Sequence, residues 1–570
     1  VEQGFAIANE GALVWLFDQD NIALSGSDWV EQAIYRVNTD GEATLFAHPD
    51  TALHEVLSVF QKMGIDPTHP PSCYTEAEHW MQNTGLDAPD LRDLESLPFV
   101  TIDNPDSRDL DQALYLEQTE TGHRVLYALA DAAYYVQAGS ALFTESLRRG
   151  VTYYAPSFAA PMLPPSLSEG LVSLNPDVLR RALVFDIQLD ARAEVTACNV
   201  YQARIRSRAK LSYQGVQAWF DDAAAGRTHD WDDLDYAKSL RLMAVIGNQR
   251  IALARERHVV EHNRTEIQVG IDKNNTSKFS LGMRKRNDVE RYNEQISLLC
   301  NMEGAKILMQ HERLSPEMQA VFRVHMPPVH QRVHVMREAV DAICDLHQLD
   351  GAWRWDGKQM LADYMDQLPD TLPRVRHAIS RQVMLINQAS EFSAEAGPHH
   401  ALGVDGYARF SSPMREIAGI FTHKELLEAQ GVMPAQPVAA DEELRKQVIA
   451  IANASKKTQR KIEKSFQLHI VEQFLNDEVQ LPEAQRPIRE ATVMGMRGTR
   501  IYVAVDGFAL DLKIYAADLE NRWGCKYEVT DTTASPSDDN APTLRMGDTV
   551  KLQTASWDKK RKRFILDIVG

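Results

Sequence analysis

Three observations predict a multidomain α+β protein that ends in an all-β module. The first is length: 570 residues exceed what one hydrophobic core organises, so three or four domains are expected. The second is a centre in which short strand-like runs alternate with long helical patterns. The third is a switch at Ile488, after which short strands separated by turns replace the helical spacing. A hydrophobic content of 44% and a charged content of 25% are globular values and exclude a disordered or fibrous chain.

Along the chain, residues 1–96 mix strand-like runs, such as Ala12-Leu13-Val14-Trp15-Leu16-Phe17, with helices expected over 52–63 and 75–82. They read as a compact α+β module, for which a winged helix that binds nucleic acid is one form. Residues 97–476 are the central domain, with strand-like runs at 124–129 and 183–187. A helix is expected over 293–308, where Ile296, Leu299, Ala305 and Leu308 recur at helical spacing. Helical signal resumes over 442–476 and stops in a polar, proline-bearing stretch at 477–487. Residues 487–570 form the last module, with strands expected at 491–496, 500–505, 508–512, 547–552 and 563–568. The polar stretch 530–542 reads as a mobile loop within it.

No run of 18 apolar residues is present, so no membrane span is expected, and no secretory leader is visible. The five cysteines are scattered, odd in number and without a C-x-x-C pair. That spacing argues against a zinc site and against a disulfide partner, and favours a reducing cytoplasm. A monomer is expected. The net charge of −19 argues against general nucleic-acid affinity, because counterion release rewards basic proteins. Clustered cations lining one channel overcome this. Such clusters occur at Arg284-Lys285-Arg286, at Lys456-Lys457 with Arg460-Lys461, and at Lys559-Lys560-Arg561-Lys562-Arg563. Each also reads as a solvated face.

The segment richest in chemistry is Pro98-Phe99-Val100-Thr101-Ile102-Asp103-Asn104-Pro105-Asp106-Ser107-Arg108-Asp109-Leu110-Asp111-Gln112. A short apolar run delivers acidic side chains at 103, 109 and 111, with Asp106 between them. Carboxylates this close repel one another unless cations or water screen them, and hard cations such as Mg2+ prefer such oxygens. Two ions about 4 Å apart could activate water and stabilise a leaving oxygen in phosphodiester cleavage. Taken alone, the segment also reads as a solvated loop of turn formers. A calcium EF-hand fits badly, because the sixth position from Asp103 is Arg108 rather than Gly.

Together with residues further along the chain, this segment carries a resemblance. Thr101 to Leu114 is similar to the acidic block of the ribonuclease II/R (RNB) family of 3′→5′ exoribonucleases. Further blocks come in that family's order: Ala128-Leu129-Ala130-Asp131, Arg148-Arg149-Gly150-Val151-Thr152-Tyr153-Tyr154, Leu167-Ser168-Glu169-Gly170, Ser173-Leu174-Asn175-Pro176, Phe322-Arg323-Val324-His325 and Ser412-Pro413-Met414-Arg415. The resemblance covers roughly residues 97–475. It implies an RNB-type α+β catalytic domain with a deep channel ending at the acidic cluster. Many family members resemble one another in carrying two cold-shock barrels at the N-terminal end. Ninety-six residues that include helices are poor material for those. The last module resembles an S1-type OB barrel, a common RNA-binding unit.

The resemblance implies roles residue by residue. Asp103, Asp109 and Asp111 match metal ligands that also orient the attacking water, with Asp111 indispensable. One or two Mg2+ ions are implied, with Mn2+ as an alternative. The fourth acidic position is Gln112, a neutral and weaker ligand that lowers the site's charge. Arg415 matches an arginine at the scissile phosphate, where a guanidinium grips two oxygens. Tyr154 matches a tyrosine that stacks on a base near the 3′ end. Glu294 matches a glutamate placed to meet a 2′-OH. Lys559, Lys560 and Arg561 are candidate phosphate contacts of the last module. The sequence departs from the pattern at Gln112, at Glu416 (usually Arg), at Gly419 (usually Asp) and at Gln459 (often Glu). No second stacking aromatic is present near 265–267.

The reading that results is a cytoplasmic, Mg2+-dependent 3′→5′ exoribonuclease that releases mainly nucleoside 5′-monophosphates from single-stranded RNA. Two alternatives stay open. One is an RNA-binding protein of the same fold with weak or lost catalysis, motivated by Gln112. The other is a nuclease or repair factor directed at DNA.

Overall fold

The computed structural model describes residues 12–15, 23–24, 30, 32–37, 42–259, 265–314, 318–433, 438–506 and 511–569. The chain builds two compact units that interleave along the sequence. The first comprises Val1–Arg257, Arg286–His325 and Ser390–Glu463; the second comprises His258–Lys285, Met326–Ala389 and Lys464–Gly570.

The first unit opens with a four-stranded sheet in the order Ala12–Trp15, Ile34–Val37, Glu42–Ala47, Ala23–Leu24. Residues 16 and 17 of the first expected strand lie outside the described residues. Helices Ala52–Lys62 and Pro71–Gln82 come next. Thr51 caps the first by accepting from the His54 amide, and Pro71 opens the second, where its missing N–H costs nothing.

The core of this unit is one six-stranded sheet. Its order is Leu179–Asp190, Gly122–Ala130, Gln112–Gln118, Phe99–Asp103, Val195–Ser212 and Arg92–Asp93. Leu179–Asp190 also pairs with Val195–Ser212, so five of the strands close into a ring. All neighbours in the ring are antiparallel except Phe99–Asp103, which runs parallel to Val195–Ser212. Closure buries both faces of Gly122–Ala130, which explains why that run reads as almost continuously apolar. Helices Ala237–Glu256 and Asp288–Leu314 cover the ring. They approach each other at Gly247, where a Cβ would sit 2.4 Å from the Tyr292 ring. Ser239, on the first of these helices, accepts from the Leu116 amide at 2.9 Å and ties it to the sheet. The helix expected over 293–308 is the middle of Asp288–Leu314, and the one over 442–476 lies within Val438–Val479.

The second unit contains the antiparallel hairpin Thr265–Ile271 with Phe279–Lys285 and helices His330–Leu346 and Pro373–Leu385. These helices share a core of Met336, Val340, Ile343, Trp353 and Ile379. The unit also holds a five-stranded antiparallel sheet in the order Asp511–Tyr515, Arg500–Val505, Arg489–Arg497, Thr549–Asp558, Arg563–Ile568. Positions 508–510 of the expected third strand lie outside the described residues.

The stretch 530–542 differs from the loop expected there. Thr533–Pro536 is the middle strand of a small sheet between Tyr527–Val529 and Leu544–Arg545. Its polar residues mask a strand because Thr530 closes the turn with its hydroxyl, accepting from the Thr533 amide at 3.0 Å, while Ala534 is fully buried. Among the described residues no helix is long and apolar enough to cross a membrane.

Candidate active site

The acidic segment leaves the sheet at Asp103, the last residue of its strand, and re-enters it at Gln112, the first residue of the next. The loop between them is held from two sides. Lys210 donates its ammonium to the Pro105 carbonyl at 2.9 Å and also to the Ser107 carbonyl. Ser173 donates to the Arg108 carbonyl at 2.8 Å and accepts from the Leu110 amide at 3.0 Å. The Leu174 amide donates to the Leu110 carbonyl at 3.0 Å. The Ser173-Leu174-Asn175 block therefore fixes the backbone that presents Asp109 and Asp111.

Arg415 arrives from the far end of the unit's sequence, and a second set of contacts holds it. Asn301, fully buried in the middle of its helix, accepts from the Phe410 and Ser411 amides at 2.8 and 3.1 Å. Its amide group donates to the Tyr407 and Ser411 hydroxyls, both at 2.9 Å. The Thr152 amide donates to the Arg415 carbonyl at 2.9 Å, and the Ile417 amide to the Gly150 carbonyl at 2.9 Å. Gly150 has φ +76°, a region costly for other residues, and a Cβ there would lie 2.1 Å from Ser455 Oγ.

At the centre, Asp111 is 1% exposed. Its Oδ1 accepts from the Met414 amide at 2.9 Å and its Oδ2 from Arg415 Nε at 2.5 Å. Arg415 Nε also lies 3.8 Å from Asp109 Oδ2, which the Tyr154 hydroxyl approaches at 3.5 Å. Burial pushes the Asp111 carboxyl up to about 6, against the pull of Arg415 and with a further push from Asp109. Burial also raises Asp109; Arg415 opposes it and Asp103 adds to it. Burial works against the Arg415 charge, yet Asp111, Tyr154 and the other aspartates hold the guanidinium well above its ordinary value. Tyr213 is pushed up to about 12 by burial and by Asp103, and accepts a hydrogen bond from Asn293 at 3.2 Å.

The expected site residues divide accordingly. Asp103, Asp109, Asp111, Tyr154 and Arg415 gather in the first unit. Gln112 stands beside them, its side-chain oxygen accepting from the buried Tyr127 hydroxyl. Tyr154 is 44% exposed. Gln459 grips its backbone at both ends, accepting from the Tyr154 amide at 3.0 Å and donating to its carbonyl at 3.1 Å. Glu294 is ion-paired with Arg286 at 3.1 Å. In the second unit, Lys559, Lys560 and Arg561 form the turn between the strands Thr549–Asp558 and Arg563–Ile568. Arg561 is drawn to Asp558 at 3.4 Å, while both lysines are exposed. Lys210 and Asn301 were not anticipated, and Ser173 was singled out only as part of its block. Of the three, only Ser173 carried a signal in the sequence, through the block it opens; Asn301 shares its helix with a second buried amide, Asn293.

Among the described residues one group of three carboxylates has oxygens within 4.8 Å of one another: Glu425, Glu428 and Asp441. The Lys424 ammonium already binds all three, at 2.9, 2.9 and 2.7 Å, so this is a buried ion-pair cluster.

The model of the RNB domain matches residues 91–430, more than half of the chain. The chain belongs to the RNB domain family. Exoribonuclease 2 of Edwardsiella piscicida is 28% identical over 412 residues, which are 71% of this chain and 60% of that protein. The chain thus spans less than two thirds of the length of this curated relative. RNase R of Mycoplasma genitalium, solved with ribose-methylated single-stranded RNA, superposes with a TM-score of 0.79 at 17% identity, over 96% of this chain and 85% of that one. Yeast Ssd1, described as a pseudonuclease, superposes with a TM-score of 0.59 at 14% identity, over 92% of this chain and 62% of its own. At these identities the two likenesses show a common fold.

Proposed function

We propose that this protein is a 3′→5′ exoribonuclease that hydrolyses single-stranded RNA and releases mainly nucleoside 5′-monophosphates. The observation that carries the reading is the buried Asp111, hydrogen-bonded on both oxygens, with Arg415, Asp109 and Tyr154 beside it. Each group has a role in phosphodiester hydrolysis. Asp109 orients the attacking water. Asp111 holds Arg415, whose planar fork of donors suits a phosphate and offsets the charge that builds on it. Tyr154, open to solvent and pinned through its backbone, offers a stacking face for a base of any identity. Glu294 is the candidate for reading a 2′-OH.

The donor set suits a divalent cation, and Mg2+ best. It consists of hard carboxylate oxygens, and burial raises two of the carboxyls, an effect that a bound cation relieves. Mg2+ needs only one or two carboxylates together with water and substrate phosphate. Asp103, Asp109 and Asp111 would hold it, with Gln112 as a weak fourth ligand. When bound, it supplies Lewis acidity toward water and the phosphoryl oxygen.

In this reading residues 1–96 are an accessory nucleic-acid module, 97–476 the catalytic domain and 487–570 an S1-type OB domain whose Lys559, Lys560 and Arg561 contact phosphates. The protein acts as a cytoplasmic monomer. One observation favours a second reading, an RNA-binding protein with weakened catalysis. Gln112 brings no charge, and the Tyr127 hydroxyl already occupies its oxygen. A digest of 5′-labelled single-stranded RNA with Mg2+ and with EDTA, run beside a DNA oligonucleotide, tests both. A metal-dependent ladder shortening from the 3′ end, on RNA alone, is expected. RNA retarded but uncut would favour the second reading, and cleavage of DNA alone would overturn both.

A further inference from the structure

Around Glu416, the residue after Arg415, the first unit gathers more positive charge than it neutralises. Arg409 Nη2 lies 3.2 Å from Glu416 Oε1, and Lys456 Nζ lies 3.6 Å from Oε2. Arg323 joins them through a shared ring. Lys456 Nζ sits 4.6 Å from the centre of Phe392, and the Arg323 guanidinium carbon 5.1 Å from it. Arg323 gives Nη2 to the Ser390 hydroxyl at 2.7 Å. Among the described residues, however, its Nη1 and the Nε of Arg409 are buried without a hydrogen-bond partner.

Three cations thus converge on one carboxylate, and two guanidinium N–H groups have nothing to bind. Buried cations are ordinarily paired, since leaving water uncompensated is costly. The Arg323 guanidinium carries the mark of that deficit. Burial depresses its pKa and Arg409 adds to the effect, only partly offset by Glu416. A site with spare donors, surplus positive charge and one internal carboxylate is organised for an anion with several acceptor oxygens.

We propose that Arg323, Arg409 and Lys456 form a phosphate-binding site next to Arg415, with Glu416 as the internal counter-ion that an incoming phosphate displaces. The ligand is a phosphate of the RNA backbone other than the one being cut. This rests on the nuclease reading above, yet it is testable without catalysis. The other source of the same chemistry is the released mononucleotide.

The experiment measures binding of labelled single-stranded RNA in EDTA, from 50 to 200 mM salt, to the full-length native protein and to Lys456→Gln, Arg323→Met and Glu416→Gln. Each cation lost should weaken binding several-fold and make the logarithmic salt slope shallower by about 0.7. The native-to-variant affinity ratio then falls about 2.6-fold across that salt range. Glu416→Gln should bind RNA more tightly, because no carboxylate has to leave.

Unchanged affinity and slope in Lys456→Gln and Arg323→Met, with native melting behaviour, would overturn the site. Should Arg323→Met fail to fold, Lys456→Gln decides alone, since its side chain is 22% exposed and tolerates change. Weaker or equal binding by Glu416→Gln would overturn the counter-ion role. Titration with uridine 5′-monophosphate separates the sources. If Lys456→Gln weakens mononucleotide binding as much as RNA binding, the site serves the product and the backbone assignment falls. Mononucleotide binding that the variant leaves untouched supports it. A native protein that digests RNA while its affinity ignores these residues sinks this inference and leaves the nuclease reading standing. A native protein that binds no RNA sinks both.

Discussion

Replacing Asp111 by Asn probes the candidate site at its most constrained point. The residue is 1% exposed, and burial pushes its carboxyl up to about 6 from its ordinary 3.8. A folded-state pKa above the unfolded one means that this group favours folding when protonated. Its contribution is fully present below the unfolded value and is lost as pH rises through about 6. At about 1.4 kcal/mol per pH unit, the whole change is about 3 kcal/mol, of which roughly 2–3 kcal/mol falls between pH 4 and pH 7.5. Asn does not titrate. In EDTA, urea unfolding should therefore find the native protein losing about 2–3 kcal/mol relative to Asp111→Asn between these pH values. The Arg415 ion pair forms only when Asp111 is ionised, and its pull is already contained in that pKa, so it adds no separate pH dependence. With Mg2+, hydrolysis by the variant should fall by at least about 10²–10³, while RNA affinity in EDTA stays close to native. Parallel pH profiles for the two proteins would refute the buried-carboxylate argument, and near-native turnover would refute the role given to Asp111.

Neighbouring contacts give further predictions. Gln112→Asp should reach half-maximal activity at lower Mg2+ and show a larger Mg2+-induced rise in melting temperature, by mass action on the native state; identical Mg2+ titrations would mean that position 112 does not face the ion. Asn301→Ala leaves two buried amides and two hydroxyls without their partner and should cost on the order of 2–4 kcal/mol in urea unfolding, with a fall in turnover larger than any change in RNA affinity. Lys559→Gln with Lys560→Gln should make the salt slope of RNA binding shallower by about 1.4 without changing turnover at saturating RNA, and an unchanged slope would remove these lysines from the RNA contact.

Much of the local structure was legible along the chain. Helical spacing located Ala52–Lys62, Asp288–Leu314 and Val438–Val479, because burial of one helix face leaves a short-range periodic trace. The acidic block, the arginine block and Tyr154 were legible too, since their residue types and order carry the family resemblance. Other features left no such trace. The strand Thr533–Pro536 is polar in composition and is held by turn hydroxyls and one buried alanine. Lys210 looks like an ordinary polar residue until the acidic loop folds onto it.

By itself, then, the sequence determined which residue types could assemble a phosphodiester site and which segments would be helices or strands. Those properties are local or carried by motif order. The tertiary structure alone decided that Asp111 meets Arg415, 304 positions away, that five strands close into a ring, and that Glu416 stands among Arg323, Arg409 and Lys456. The physical reason is that electrostatics and burial act through space. The charge of a side chain is read from its own position, but what it pairs with, and whether water still reaches it, depends on chain segments hundreds of residues apart.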